Sequence, residues 1–373
     1  MLLIALFLLL VIIEMIILHF FKKEQVPWKA IIANLNSGHI MLWVFRGLII
    51  TAYLYIYKNI SFQLFENWSQ LSQIIFTLFA WDVCFYWSHR FHHKIKFLWA
   101  IHTVHHDSEH YNLSLGIRNS WYSSLSSFPF FSILAISGIP IEIFLGVSAF
   151  HYFVQFYNHN NLVKKSGWLE YIFITPSSHR VHHGKNDLYI NKNFGGTFVF
   201  WDKLFHTYQA ERKDTPVEFG IHQPLLSENP FLMSNPPLVK IFTGCQHKMN
   251  SVFPFSIPLY LVVSCSLLLF ILMLNFMHLE KVISGFEKLI LFLIIFSGTI
   301  ANAGLSEARR WSIPAWLFIC IIVVPVSLFY YNVNYSSLLV PLFLLIGHGI
   351  WIGLFFIKMK YKKPLPLKIS WNN

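Results

Sequence analysis

The chain has 373 residues, 55% of them hydrophobic and only 12% charged, and a mean hydropathy of +0.52. A soluble domain of this length needs more charge to cover its surface, which excludes a soluble fold and indicates an integral membrane protein. The net charge of +11 does not point to nucleic acid. The basic residues stand in short clusters beside apolar segments, where anionic headgroups would meet them.

In chain order, Met1–Phe21 is apolar from its first residue and lacks a basic n-region and a small-residue cleavage site, so it reads as an uncleaved span. Glu14 interrupts it and is expected to face protein or water. Further runs of spanning length follow at 40–57, 70–87, 121–138, 141–158, 253–277, 284–304, 313–331 and 337–357. The expected fold is therefore all-α and polytopic, with about nine transmembrane spans. Only Gly138-Ile139-Pro140 separates the fourth and fifth runs, which predicts a tight hairpin or a re-entrant pair. With the N-terminus outside, nearly all Lys and Arg fall on one side. The other side holds only Lys58, Lys281 and Lys288, and Arg46 lies within a span. Basic loops stay cytosolic, so the loops at 88–120 and 159–252 are expected in the cytosol, in a bacterial inner membrane or the endoplasmic reticulum.

The expected organisation is an N-terminal pair of spans (1–69), a histidine-rich part (70–225), a Pro-marked linker (226–252), a four-span block (253–357) and a basic cytosolic tail (358–373). Cys84, Cys245, Cys265 and Cys320 show no CxxC spacing and read as isolated apolar thiols.

The middle part carries His89-Arg90-Phe91-His92-His93, His102-Thr103-Val104-His105-His106 and His179-Arg180-Val181-His182-His183. Positions i, i+3 and i+4 share a helix face, so His89 with His93, and each HxxHH triplet, can converge. Two HxxHH copies would arise by chance in roughly one in a thousand chains of this composition. Eight imidazoles exceed what one ion can take, so two metals are expected, of a kind suited to neutral imidazole: iron, zinc or copper. His159, directly after the fifth span, is a ninth candidate ligand. His92 points about 100° from His93 and is left out, as are His110, His151 and His206. A metal-bound His usually donates its second nitrogen to a carboxylate or carbonyl. Asp82, two turns before His89, is the first candidate for that role, with Glu109, Glu170 and Asp202 behind it; Asp107 is a weaker one.

HxxxH, HxxHH and HxxHH between spans resemble the fatty acid hydroxylase (sterol desaturase) superfamily. The runs Asn193-Phe194-Gly195-Gly196-Thr197 and Trp201-Asp202-Lys203-Leu204-Phe205 also resemble it. The stretches at 102–113 and 169–184, with the extra spans after them, are most similar to its alkylglycerol monooxygenase branch. Lys94 and Asn191 depart from that branch, where acids stand. The resemblance implies two iron ions, O2, a lipid drawn from the bilayer and hydroxylation of a C–H bond. For that branch it implies cleavage of ether lipids with tetrahydrobiopterin as electron donor. No haem-binding domain is visible, so electrons are expected from a separate donor. The competing readings are a sterol, carotenoid or fatty acid hydroxylase or desaturase, and a metal transporter or metal-binding membrane protein. A transporter should place its ligands near the bilayer midplane, whereas these clusters stand at span ends and in loops.

Overall fold

The computed structural model describes residues 2–37, 39–225, 227–244, 252–330 and 336–361. Cys245, Asn334 and the tail from residue 362 lie outside them. The described residues hold no strand; their β pairings are two isolated bridges, Phe173 with Phe198 and Val252 with Arg309. The chain divides into two compact units, Met1–Lys248 and Met249–Asn373.

The first unit begins with α1 (Leu2–Ile16), α2 (Trp28–Asn36) and α3 (His39–Asn59). The long helix α4 (Gln70–Lys94) starts where the Ser69 hydroxyl accepts a hydrogen bond from Ser72 N at 3.1 Å. That cap satisfies one of the helix's orphan donors. It ends at Ile95, whose extended backbone turns the chain into α5 (Lys96–His106). A helical hairpin follows, α6 (Ser123–Ser137) and α7 (Ile141–Asn158). Its turn needs Gly138: φ is +96°, and a Cβ there would lie 2.6 Å from the Gln63 Cα. The tip is fastened by the Tyr53 hydroxyl, which donates to the Ile139 carbonyl at 2.8 Å. Tyr53, Phe65, Trp81, Phe131, Leu134, Phe144 and Val147 pack together between α3, α4, α6 and α7. Lipid tails are as apolar as these side chains, so close packing and hydrogen bonds hold such helices together rather than escape from water.

The unit continues through α8 (Pro176–His182), α9 (Phe200–Leu204), α10 (Pro230–Ser234) and α11 (Pro236–Thr243). Short α8 is held at its start by Ser178, whose hydroxyl accepts from Thr175 N at 2.9 Å and donates to the Thr175 carbonyl at 3.0 Å, with Pro176 in its first turn. Glu14 is buried; its carboxylate accepts from Leu113 N at 2.7 Å and Asn161 N at 2.8 Å. It thereby ties α1 to the segments that follow α5 and α7.

The second unit is built from α12 (Leu259–Leu279), α13 (Gly285–Ser306), α14 (Ser312–Phe318), α15 (Val324–Leu328) and α16 (Ser336–Tyr361). Its interior holds a satisfied polar network. Trp316 Nε1 donates to His348 Nδ1 at 3.0 Å, and His348 Nε2 donates to the Leu261 carbonyl at 3.0 Å.

Among the described residues, four stretches are long and apolar enough to cross a membrane: Trp28–Asn59, Leu259–Leu279, Gly285–Ser306 and Ser337–Lys360. The other expected spans are helical, but Leu6–Phe21, Ser123–Ser137 and Ser312–Leu328 are shorter. The 15 residues of α6 extend about 22 Å, against a hydrocarbon core of about 30 Å. The run at 70–87 belongs to a 25-residue helix whose last turns are polar and carry His89, His92 and His93.

Candidate metal centre

The ends of α4 and α5, the residue after α7, and α8 meet at one place. Nine histidines gather there in two groups. His89, His93, His102, His106 and His182 form one; His105, His159, His179 and His183 form the other. Within each, one nitrogen per ring lies within 4.8 Å of all the rest. That is not much more than two metal–nitrogen bonds of about 2.1 Å laid end to end.

The geometry divides each HxxHH triplet. Its first and last members, at i and i+4, join one group, and the middle member turns about 100° away into the other. His102 and His106 enter the first group while His105 enters the second. On α8 the assignment reverses: His179 and His183 enter the second group and His182 the first. The two helices thus cross-link both groups.

Backbone carbonyls orient the rings. His89 Nδ1 stands 3.0 Å from the Phe194 carbonyl, His182 Nδ1 2.9 Å from that of Lys192, His105 Nδ1 2.9 Å from that of Arg118, and His159 Nδ1 2.7 Å from that of Gln155. A carbonyl only accepts, so each of these Nδ1 atoms carries the proton. Burial lowers the pKa of all nine rings, to about 4 for His105 and about 3 for His182. The rings are neutral, and the Nε2 of each of these four is a bare lone pair.

Yet His105 Nε2 and His159 Nε2 face each other at 3.2 Å. Both protons are committed elsewhere, so the pair repels unless a cation lies between them. The buried His93 Nε2 has no hydrogen-bond partner among the described residues. The donor set therefore fits metal ions suited to neutral imidazole.

The carboxylates expected beside the ligands stand one step further out. Asp82 accepts from Thr197 N at 2.6 Å, Phe198 N at 3.1 Å and Trp201 Nε1 at 3.0 Å. Asp202 accepts from Phe194 N at 2.7 Å and Gly195 N at 2.8 Å. Both anchor the segment that presents the Phe194 carbonyl to His89, and neither bonds a ring of the two groups. Glu170 accepts from Ser166 N at 2.9 Å, Glu109 is exposed beside Gly220, and Asp107 pairs with Arg118 at 2.9 Å. A buried carboxylate needs several donors, and turn amides supply them; a neutral N–H is satisfied by a carbonyl.

His92 lies outside both groups, with Nδ1 2.7 Å from the Ser88 carbonyl and Nε2 2.8 Å from Ser126 Oγ. His110 and His206 are exposed. His151 is buried, its Nδ1 3.2 Å from Thr197 Oγ1.

Sequence reasoning missed two buried arginines. Arg118 donates to the Val104 carbonyl at 2.7 Å and to Asp107, while its own carbonyl receives His105. Arg180 reaches Glu211 and the carbonyls of Val163 and Lys164. Their positions between His-cluster residues were the available signal.

A cavity of about 210 Å³ opens beside the groups. Its walls include His89, His105 and His159 together with Trp81, Phe131 and Phe144.

Residues 74–207 match the fatty acid hydroxylase family model. The chain is 41% identical over 180 residues to an alkylglycerol monooxygenase of Danio rerio, covering 48% of this chain and 40% of that protein. It is 32% identical to one of Xenopus tropicalis, covering 66% of this chain and 56% of that protein. An ornithine lipid hydroxylase of Rhizobium tropici is 27% identical, with 42% of this chain and 47% of that protein covered. The matches thus span about half the length of these relatives. No solved structure matches the chain.

Proposed function

We propose that this chain, whose residues 74–207 form a fatty acid hydroxylase domain, is an integral-membrane, O2-dependent lipid monooxygenase with two iron ions bound by the nine histidines. The observation that carries the reading is the facing pair of lone pairs at His105 and His159, within a buried, neutral imidazole cluster that lines an apolar cavity. His89, His93, His102, His106 and His182 would hold one ion, and His105, His159, His179 and His183 the other.

Bound iron supplies the activation of O2 and the removal of hydrogen from an unactivated C–H bond. The chain's own residues do the rest. The carbonyls of Phe194, Lys192, Arg118 and Gln155 fix which nitrogen each ring offers. Asp82 and Asp202 stiffen the 194–198 segment behind His89. Trp81, Phe128, Phe131 and Phe144 exclude water and align an alkyl chain toward the cluster.

The substrate reading is an ether lipid, cleaved after hydroxylation of the carbon beside the ether oxygen. Electrons would come from a reduced pterin or another external donor. The similarity at 102–113 and 169–184 supports it. The similarity to an ornithine lipid hydroxylase favours a second reading, hydroxylation of a lipid acyl chain at the same centre. The asymmetry of Lys and Arg supports nine spans with the centre on the cytosolic side.

The test is purified protein with iron, O2, a reduced pterin and an alkylglycerol. Fatty aldehyde should form, and only with O2. Oxidation of a fatty acid, sterol or acylated lipid in place of the ether would overturn the ether reading and leave the hydroxylase. Metal content far below two ions per chain in active protein would overturn the dimetal centre.

A further inference from the structure

Arg46 lies inside an apolar run, in the first half of α3 and away from both helix ends. It lines the same cavity as His89, His102, His105, His159 and His179. No Asp or Glu stands among the residues that line this cavity. No described carboxylate pairs with Arg46; its contact is the Tyr152 ring, 5.7 Å from the guanidinium carbon. Arg46 brings a planar guanidinium cation with a rigid fork of donors. In a membrane helix such a charge faces a cavity or the protein interior and has a functional partner. This cavity offers neutral rings, serine hydroxyls and aromatic faces, but no anion.

We infer that Arg46 is the headgroup anchor of the substrate, and that the substrate is a single-chain lipid bearing an oxyanion, a phosphate ester or a carboxylate. Guanidinium binds such groups through two parallel hydrogen bonds. Ser123, Ser124 and Ser127 line the same cavity and add hydroxyl donors. Tyr152, which Arg46 covers, precedes His159 by seven residues of α7, about 10 Å along the helix axis. Arg46 and the histidines line one cavity, so the oxyanion and the carbon that is oxidised would share it. The inference rests on the lipid-oxidation reading, yet binding at Arg46 requires no turnover.

The test measures equilibrium binding of radiolabelled lipids to the full chain in phosphatidylcholine nanodiscs, without reductant. The probes are hexadecylglycerol, hexadecylglycerol 3-phosphate and palmitate, with inorganic phosphate as competitor. Wild type should prefer an oxyanion lipid over hexadecylglycerol by about tenfold, in the range of a charge-assisted contact. Arg46→Gln should lose the preference while still binding hexadecylglycerol, and Arg46→Lys should keep part of it. Preference for the phosphate or for palmitate alone supports the anchor and names its oxyanion. Equal binding of all three lipids by wild type overturns the inference. So does a preference that survives in Arg46→Gln, or displacement by inorganic phosphate as effective as by the lipid. If Arg46→Gln binds nothing, Arg46→Lys decides: no preference there overturns the anchor. Should the preference hold while no lipid is oxidised, the anchor stands and the monooxygenase reading falls.

Discussion

At the scale of single residues, the eight imidazoles that spacing singled out lie in the two groups, because helical phase is written directly in the positions of side chains, and His159, named for its place after the fifth run, joins them. What holds them was not legible. The partners of His89, His105, His159 and His182 are carbonyls, which every residue carries and no side-chain pattern marks. Replacing His105 or His182 with Ala should lower metal content from about two ions to about one or fewer per chain and abolish lipid oxidation. His92→Ala, whose ring bonds Ser88 and Ser126 instead, should keep both ions; elemental analysis of purified variants checks this. Asp202→Asn leaves the Phe194 and Gly195 amides facing an amide group with half the acceptor capacity. It should cost about 1–3 kcal/mol, seen as a lower Tm, with metal more easily removed by a chelator. Glu211 supplies a pH signature. Burial pushes its carboxyl up, but hydrogen bonds from Arg180 and Ser177 and the charge of Arg180 outweigh that and hold it below its ordinary 4.5. The folded state therefore binds this proton less readily than the unfolded chain. The stability it contributes is present above about pH 4.5 and fades as pH falls through the lower folded value. Glu211→Gln should lose stability at neutral pH and show a flatter decline between pH 5 and 3 in thermal melts.

At the scale of elements, apolar runs located the helices well and their ends poorly. Hydropathy stops the third run at 87, whereas α4 continues to Lys94. The helix emerges from its apolar stretch carrying histidines, and backbone hydrogen bonding does not register that change of polarity. The hairpin at Gly138-Ile139-Pro140 was legible because both residue types act on the backbone itself: glycine permits positive φ, and proline begins the next helix. Gly138→Ala should be costly on two counts. The left-handed backbone adds about 1–2 kcal/mol, and the new methyl would press on the Gln63 backbone. A Tm reduced by several degrees, with the metal-to-protein ratio of the surviving folded fraction unchanged, is expected; differential scanning fluorimetry with elemental analysis reads both.

At the scale of the whole molecule, composition announced a membrane protein, and four stretches of the described residues meet the length and hydropathy of a span. Short α6 and polar-ended α4 fall outside that set, and they pack on each other. Reporter fusions after Asn334 and after Asn373 should report opposite sides of the membrane; the same side for both would end the nine-span arrangement. A chain that folds without iron must bring the lone pairs of His105 and His159 to 3.2 Å with nothing between them. That opposition falls on the residue after α7 and on α5, the parts that close the centre. On the dimetal reading proposed above, metal loading would be the last step of assembly. In a cell short of iron, newly made copies would keep this end of the first unit ajar and be recognised by proteases, so that abundance of the protein tracks iron supply without any dedicated sensor.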